Sequence, residues 1–399
     1  MSELLQLAQK ILERRDGNEQ IEVFVSSSTE NDVRAYQGEI EDLTTASSDG
    51  VGIRVLTDSS SGARVGSAWA GSLDESAIAE ALREARDNVR FATEDEFVAF
   101  AQPDGVVAPQ LTLTSPDVES VSLDEKVALA IELERAVRAS DSRIRQVDAA
   151  SYSDYSASGA IASTTGIRAT YARTMAYLSV EAIATDGVED QSGWGLSAGR
   201  GPRDIDLDRA RRDAVLRCTR MLGAVKPSTR KGTAVFDARA TATLLSIIGG
   251  ALSGEAVVRG RSFFAGRVGE VVASPLFTLI DDPTDPRHFA ASPFDGEGLA
   301  TRRNALIESG QLRGFVYDTV SGRRAGVSST GSAQRGGIAG SPSAGVRALQ
   351  LQPGQASQEE IFRSIGDGFF IESLIGVHSG VNPISGDFSV RSEEHTSEL

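Results

Sequence analysis

The sequence predicts an α+β protein, in which helix-plus-antiparallel-sheet domains are followed by a β-rich C-terminal domain of barrel or sandwich type. Three observations support this fold class. The box Ser-Leu-Asp-Glu occurs at 72–75 and again at 122–125, each time ahead of a helical apolar pattern. Short alternating runs separated by Gly, Asp, Asn and Ser predict antiparallel meanders, and glycine-rich strands dominate after residue 230. The order of elements lacks the β-α-β alternation of a parallel sheet.

The N-terminal part is predicted to begin with a helix, because apolar side chains recur at Leu4, Ala8 and Ile11 behind Ser2, a typical N-cap residue. A meander follows, and the first box then begins a helix that packs on the sheet. The predicted strands are 21–28, 33–47, 50–57 and 63–71. We interpret 1–92 as an N-terminal α+β domain and the charged, proline-containing stretch 93–119 as a linker.

The middle α+β domain, 120–225, repeats this combination of elements. A helix is expected over 123–139 behind the second box, and the run ATYARTMAYLSVEAIAT, 169–185, alternates like a half-buried strand. The next helix carries Cys218, the only cysteine of the chain. One cysteine cannot form an internal disulfide or a multi-cysteine zinc site, and its helical face is apolar, so we interpret Cys218 as a buried structural thiol.

The C-terminal domain is predicted to span 230–390. GTAVFDA, 232–238, is typical of a strand, and ATATLLSIIGGAL, 240–252, of a helix. Glycine-rich strands follow, with one short helix at 358–366 among them. The predicted strands are 272–283, 305–318, 345–354 and 369–380.

Composition and charge exclude several classes of function. The chain of 399 residues has a formal net charge of -16, which opposes binding to nucleic-acid phosphates and to anionic membrane surfaces. The N-terminus lacks the basic start and continuous apolar run of a signal peptide. No segment has the ~20 consecutive apolar residues of a membrane span. We therefore expect a cytoplasmic protein with no direct nucleic-acid or membrane partner.

Common catalytic signatures are missing from the sequence. Neither Lys226 nor Lys231 follows a Walker-type glycine spacing, and no G-x-S-x-G lies in a strand–turn–helix context. A Ser-His-Asp triad would have to use one of only three histidines. His288 lies in a turn with Asp281, Asp282 and Asp285, which leaves open a metal site there as an alternative to a solvated loop.

Several long stretches resemble one known family, the TldD/PmbA family, whose members are also described as modulators of DNA gyrase. Within it the chain resembles the TldE (PmbA) branch along nearly its whole length. The stretches that carry the resemblance are GVGIRVL (50–56), SFFAGRVGEVVASPLFTLIDDP (262–283), GQLRGFVYDTVSGRRAGVSSTGSAQR (310–335) and GVHSGVNPISGDFSV (376–390). The resemblance implies a cytoplasmic heteromeric complex in which a TldD-like subunit is a zinc metallopeptidase acting on unfolded peptides.

The peptidase motif of that family, H-E-x-x-x-H, is replaced here. In the family the motif lies on the helix before the stretch that begins at Ser262 in this chain, and alignment places LSIIGG, 245–250, at its position. The whole segment 239–261 contains no histidine, and Glu255 alone cannot hold a zinc ion. The resemblance therefore implies a non-catalytic subunit with no catalytic residue and no cofactor of its own, and zinc is expected in the partner.

The closing glycine-rich loop supplies the candidate substrate or interface residues. His378, Ser379, Asn382 and Asp387 match the TldE-like pattern H-S-G-x-N-x-x-[ST]-G-D-F. Glycines there allow close backbone approach, so hydrogen bonds to a neighbouring loop are one interpretation and contact with substrate is the other. Arg323 and Arg324, in the basic run SGRRAG, are further candidates, and they too could simply pin a loop.

Two other functions remain open at this point. One is a self-sufficient metal-dependent hydrolase that uses an Asp/His centre near 281–288. The other is a regulatory binding protein that acts on DNA gyrase or on a toxin–antitoxin pair, as the older family name implies.

The last nine residues, RSEEHTSEL at 391–399, differ in character from the loop before them. They resemble the translation of a common sequencing-library adapter, and we expect them to be an assembly artefact and the native C-terminus to be missing. Resequencing the locus should show the frame continuing past Val390 with glycine- and valine-rich strand sequence. Genomic DNA that encodes RSEEHTSEL followed by a native stop codon would refute this expectation.

Overall fold

The structure is a computed structural model that describes residues 2–225, 228–377, 380–389 and 391–395. Helices and mostly antiparallel strands share the chain without β-α-β alternation, which confirms the α+β class. A six-stranded antiparallel sheet with helices on one face forms the first part. A region of short strands, short helices and long loops forms the second part and packs against the other face of that sheet.

The large sheet has the strand order β3-β2-β1-β4-β5-β6. Its strands are β1 (Gln20–Tyr36), β2 (Glu39–Ser59), β3 (Gly62–Ala70), β4 (Ile144–Ser163), β5 (Arg168–Thr185) and β6 (Asp190–Gly199). The central pair is β1 and β4, in register from Glu22 opposite Ser163 to Ala35 opposite Ala150. The predicted N-terminal and middle domains thus contribute three strands each to one continuous sheet, whereas their boundaries stay a prediction.

The strands are longer than the sequence patterns predicted. The runs predicted at 21–28 and at the start of 33–47 belong to the single strand β1, because β2 and β4 pair with the intervening Thr29–Asp32 on both sides. The polar stretch Ser26–Asp32 therefore continues the sheet instead of breaking it. Pairing on both edges supplies the backbone hydrogen bonds that a polar sequence could otherwise make with water.

Five helices belong to this part of the chain: α1 (Glu3–Leu12), α2 (Glu75–Val89), α3 (Asp117–Ser120), α4 (Leu123–Arg138) and α5 (Leu207–Met221). Ser2 caps α1, and Ser122 with Glu125 forms a complete capping box for α4, as predicted. The box predicted at Ser72 is wrong. The Ser72 hydroxyl donates to Asp74 instead, and the helix begins two residues later than predicted, with Asp74 as its N-cap.

Alternation along the strands separates the two faces of the sheet. Val23 and Val25 pack under α1 and α2, and Val33 packs under α4 and α5, in two cores of aliphatic side chains. Cys218 is fully buried in the second of these cores, where burial raises the pKa of its thiol. Phe24 points to the opposite face and contacts a cluster that includes Leu299 of the C-terminal region.

The predicted linker 93–119 lies on the protein surface as an extended segment that is anchored at several points. Asp95 forms an isolated bridge with Ala63, and Phe100, Ala101 and Leu113 are buried. The segment therefore contributes to the packing between the sheet and the C-terminal region.

The C-terminal region contains the predicted strands in shortened form. Its helices are α6 (Ala238–Ala251), α7 (Gly254–Val258), α8 (Thr319–Ala325) and α9 (Gln358–Ile365). Its strands are β7 (Thr233–Phe236), β8 (Leu279–Asp281), β9 (Asn304–Glu308), β10 (Gln311–Leu312), β11 (Ala333–Gln334), β12 (Ser343–Ala344), β13 (Leu349–Leu351), β14 (Gly368–Ile375) and β15 (Arg391–His395). They form sheets ordered β10-β9-β8-β13, β11-β12 and β15-β14-β7. Within the residues that the structure describes, no helix is both long and apolar enough to cross a membrane.

Glycines on the edge strand β6 let helix α5 approach the sheet closely. A Cβ atom on Gly195 would lie 1.9 Å from the carbonyl oxygen of Ala210, and one on Gly193 would lie 2.3 Å from that of Ala214. Both contacts are with helix backbone, which cannot move aside cheaply. The helix can cover the core in this position only because the strand has no side chains there.

We predict that Gly195→Ala destabilises the protein by about 1–3 kcal/mol through overpacking. Gly250→Ala is the matched control, because a Cβ there meets no atom within 4 Å and the residue lies in α6. That change should stabilise the chain by about 0.5–1 kcal/mol, the usual cost of glycine in a helix. Urea unfolding of both variants measures the difference, and equal midpoints would contradict the prediction.

Candidate functional site

A cleft of about 650 Å³ lies between helix α6 and the strand β13 with its preceding loop. One wall is made by Ala242, Leu245, Ser246, Gly249 and Gly250 of α6. The opposite wall includes Val346, Arg347 and Leu349. Since β13 is the edge strand of its sheet, the cleft lies between a helix and an edge strand.

The position of α6 is set by its cap and by one glycine. Asp237 accepts a hydrogen bond from the Ala240 N–H at 2.7 Å, and this begins the helix next to β7. A Cβ on Gly249 would lie 2.6 Å from Val346 and 2.8 Å from Leu349. Glycine at this position therefore allows the helix and the β13 wall to approach each other at the bottom of the cleft.

The cleft does not fit a zinc ion. The segment LSIIGG contributes Leu245, Ser246 and Gly250 to the wall, and none of these side chains is a usual zinc ligand. Among the lining residues only His288 carries such a group, and its Nδ1 accepts a hydrogen bond from the Ala290 N–H at 3.1 Å. Throughout the described parts of the chain, no group of three or more His, Cys, Asp or Glu side chains could hold a metal ion.

The carboxylates of the acidic turn around His288 accept hydrogen bonds from the turn itself and from a neighbouring loop. Asp281 accepts hydrogen bonds from the Arg347 and Ala348 N–H groups at 2.9 and 2.6 Å. Asp282 accepts from the backbone and the hydroxyl of Thr284. Asp285 pairs with Arg287, which holds the pKa of that carboxyl well below its usual range. Through Asp281 the turn fixes the loop that carries the β13 wall of the cleft.

A buried ionic cluster lies where the C-terminal region meets the large sheet. Glu22 of β1 forms ion pairs with Arg54 at 3.0 Å and with Arg335, a residue 313 positions later. The side chains of Glu22 and Arg335 are only 2% and 4% exposed. Burial alone would raise the pKa of Glu22, but the two guanidinium groups outweigh it and lower the pKa. Arg335 also donates to the Gly296 carbonyl at 3.0 Å.

Two further buried carboxylates organise the loop next to this cluster. Asp295 accepts hydrogen bonds from the N–H groups of Glu297, Leu299 and Ala333. Glu297 accepts from the Thr319 N–H and hydroxyl at 3.0 and 2.7 Å, at the start of α8. Burial, with the nearby carboxyl of Asp295, raises the pKa of Glu297 to about 8. Burial also raises the pKa of Asp295. Both side chains hold backbone in place. Through them the loop, which lies between β8 and β9, is hydrogen-bonded to β11 and to the start of α8.

The structure describes only two of the four candidate residues of the closing loop. His378 and Ser379 lie outside the described residues. Asn382 accepts hydrogen bonds from the N–H groups of Ile384 and Ser385, and Asp387 accepts from the Ser385 hydroxyl. These bonds close a turn within the loop itself. The loop reaches its neighbour through backbone, where Phe263 N–H donates to the Pro383 carbonyl at 3.0 Å.

Arg323 and Arg324 lie on α8 and contact the extended segment 93–119. Arg323 donates to the Glu96 carbonyl at 3.1 Å. Arg324 pairs with Asp95 and stacks over Phe97, with its guanidinium carbon 5.5 Å from the ring centre. Neither residue lines the cleft beside α6. Their contacts pin the segment to the C-terminal region.

Sequence reasoning missed the Glu22–Arg335 cluster and the cleft wall at Val346–Leu349. Glu22 occupies an alternating polar position that usually faces water, and only the packing of the C-terminal region buries it. One local signal was present. The run DGEG at 295–298 places two acidic residues among glycines, which is typical of a carboxylate that binds nearby N–H groups.

Three family models match the chain one after another. They are described as PmbA/TldA metallopeptidase domain 1, matching 21–89, the central domain, matching 116–222, and the C-terminal domain, matching 229–396. Together they cover most of the sequence. The first two models match the part that forms the large sheet, and the third matches the C-terminal region.

The chain is also similar to individual proteins that carry the names of this family. The chain is 29% identical over 371 residues to metalloprotease PmbA of Escherichia coli O157:H7, covering 92% of this chain and 78% of that protein. It is similar in structure to TldE from Thermococcus kodakarensis, with 25% identity, a TM-score of 0.81 and coverage of 94% and 82% of the two chains. A protein of Thermotoga maritima titled as a candidate modulator of a DNA gyrase matches with 25% identity, a TM-score of 0.84 and coverage of 98% and 86%.

The raised pKa of Glu297 predicts how stability depends on pH. Between the usual glutamate pKa of about 4.3 and the folded value, the folded chain holds a proton that the unfolded chain has lost, so stability falls as pH rises. Glu297→Gln keeps an acceptor for Thr319 and removes this titration. We expect the fall in unfolding free energy between pH 5 and pH 8 to be smaller in the variant, by up to about 1.4 kcal/mol per pH unit.

Urea unfolding at several pH values measures this slope. Glu94→Gln is the control, because hydrogen bonds from Ser61 and its neighbours lower the pKa of Glu94 to about 2. That carboxyl is ionised in both states above pH 5, so its removal should leave the slope unchanged. An unchanged slope in Glu297→Gln would show that Glu297 does not hold a proton in the folded chain.

Proposed function

Because this chain belongs to the PmbA/TldD metallopeptidase family, we propose that it is the non-catalytic, TldE/PmbA-like subunit of a heteromeric zinc peptidase that processes unfolded peptides. The observation that supports this most directly is the cleft beside α6. Its helical wall carries Leu245, Ser246 and Gly250 where the family's H-E-x-x-x-H motif would stand. At these positions the cleft presents no side chain of a kind that usually binds zinc.

The chemistry in this proposal belongs to a TldD-like partner subunit that bears H-E-x-x-x-H. In such a motif two histidines bind zinc and the glutamate acts as general base on the metal-bound water. Leucine and glycine have no atoms that bind zinc, and a serine hydroxyl at position 246 is a poor general base near neutral pH. His288 offers a single imidazole, already accepting a backbone hydrogen bond.

The role of this chain is then to hold an extended peptide. A peptide lying between α6 and β13 can add as a strand to the sheet edge, since β13 is at the end of its sheet. Val346 and Leu349 provide apolar contacts in the cleft, while main-chain hydrogen bonds make the binding tolerant of peptide sequence. Such binding suits unfolded substrates, which expose their backbone.

We expect the full-length chain alone to leave an unstructured fluorogenic peptide uncleaved and to contain well under one zinc per chain. Co-expressed with its TldD-like partner, it should support cleavage. Changing the partner's motif glutamate to glutamine should abolish the reaction, because the base that activates the zinc-bound water is lost. Cleavage assays and metal analysis of each chain and of the pair provide the measurement.

A variant that fills the cleft tests the contribution of this chain. Ser246→Trp places an indole in the cleft and should raise KM of the complex for peptide, with copurification of the two subunits unchanged. Ala238→Trp is the matched control, because Ala238 is exposed at the start of α6 and does not line the cleft. Robust cleavage by this chain alone, free of partner, would overturn the subunit proposal.

A further inference from the structure

A second, smaller cavity lies between the large sheet and the C-terminal loops. Its volume is about 90 Å³, enough for a small ligand group or a few water molecules. Tyr171 and Arg173 line it from β5, and Ser292, Asp295, Arg335 and Arg347 line it from the C-terminal region. Three guanidinium groups therefore border one small space at the junction of the two parts of the protein.

Arg173 has no partner for its charge among the described residues. Its side chain forms no ion pair or hydrogen bond there, and its Nε is buried without an acceptor. Its guanidinium carbon lies 5.9 Å from the ring centre of Tyr155, a weak cation–π contact. A partly buried guanidinium normally has a carboxylate or several acceptors, because burying an unpaired charge is costly.

Arg347 is also poorly neutralised. Its side chain makes a single long hydrogen bond of 3.4 Å to the Ala333 carbonyl. Burial disfavours the charged form of Arg347, whereas Asp295 and Asp281 are close enough to favour it. However, the oxygens of Asp295 already accept three backbone N–H groups, from Glu297, Leu299 and Ala333.

The third guanidinium, Arg335, has a carboxylate partner that it shares. Glu22 is paired with both Arg335 and Arg54, so one negative charge offsets two positive ones. Burial raises the pKa of Tyr171, and the charges of Arg173, Arg347 and Arg335 oppose that rise. All three guanidinium groups thus act on the same phenol inside the cavity, and the positive charge of the cavity wall exceeds the negative charge.

We propose that this cavity binds a small oxyanion, a carboxylate or phosphate group, held by Arg173 and Arg347 with Arg335 behind them. Guanidinium groups bind both kinds of oxyanion through paired N–H donors. The Tyr171 hydroxyl supplies a further donor. An oxyanion gives the Arg173 side chain the partner that it lacks among the described residues.

The position of Arg347 between the two cavities indicates one source of a carboxylate ligand. Arg347 lines both this cavity and the cleft beside α6. A peptide lying in the cleft could therefore present its C-terminal carboxylate to the same guanidinium. Free phosphate is the other source of the same chemistry. The oxyanion site itself does not depend on the proposed function, because it requires neither a partner subunit nor peptide cleavage.

Isothermal titration calorimetry on the full chain distinguishes these sources. One arm titrates inorganic phosphate, and the other titrates tetra-alanine with a free C-terminal carboxylate against its C-terminal amide. Ionic strength is kept constant with sodium chloride, since general charge screening would otherwise change the result. We expect saturable binding of phosphate, of the free-acid peptide, or of both, and at least about tenfold weaker binding of the amide than of the acid.

Arg173→Gln should weaken the binding of the oxyanion by about tenfold or more, because a charge-assisted hydrogen bond is lost. The same variant should unfold at a higher temperature than the wild type without ligand, because an unpaired charge has been removed. A purely structural arginine would give the opposite shift. Arg212→Gln is the control, an exposed arginine on α5 with its nearest carboxylate oxygen at 4.0 Å, and it should change neither property.

Each outcome decides the question. Binding of phosphate alone assigns a free-oxyanion site, and preference for the peptide acid over the amide assigns a peptide carboxylate. Absence of any binding above the chloride control in the wild type would overturn the proposal. So would binding that Arg173→Gln leaves unchanged.

Discussion

The pairing of β1 with β4 is the constraint on which the rest of the structure depends. It joins two helix-plus-meander segments into one sheet, from Glu22 opposite Ser163 to Ala35 opposite Ala150. Because side chains alternate along a strand, this register assigns Val23 and its odd-numbered neighbours to the helices, and Glu22 and Phe24 to the C-terminal region. A shift of one residue would exchange the two faces and bury the wrong set.

The junction on the second face is held by charge as well as by apolar packing. Glu22 binds Arg335, and Arg335 binds the Gly296 carbonyl, in the loop that Asp295 and Glu297 organise. Buried ion pairs stabilise a structure only when all of their partners are in place. This network therefore favours one specific docking of the C-terminal region on the sheet. A docking that left Glu22 or Arg335 buried without its partner would cost free energy. The oxyanion cavity lies at the same junction.

Local features were predictable, and long-range ones were not. The caps at Ser2 and Ser122 and the alternation of β5 depend on neighbours a few residues away, and the structure contains them. Ser72 shows the limit of such patterns, since its hydroxyl bonds to Asp74 and moves the helix start. The continuous strand β1, the burial of Glu22 and the cleft beside α6 result from contacts between distant segments. The family resemblance drew attention to the segment 245–250, but only the structure shows that Leu245 and Gly250 line a cleft.

The shape of that cleft does not depend on a metal ion. Its β13 wall is fixed by Asp281, which accepts the N–H groups of Arg347 and Ala348. Its helical wall is fixed by Gly249, which packs directly against Val346 and Leu349. In a structural zinc site, metal binding contributes free energy to folding, whereas here hydrogen bonds and packing hold both walls. The form of the cleft therefore follows from contacts within this chain.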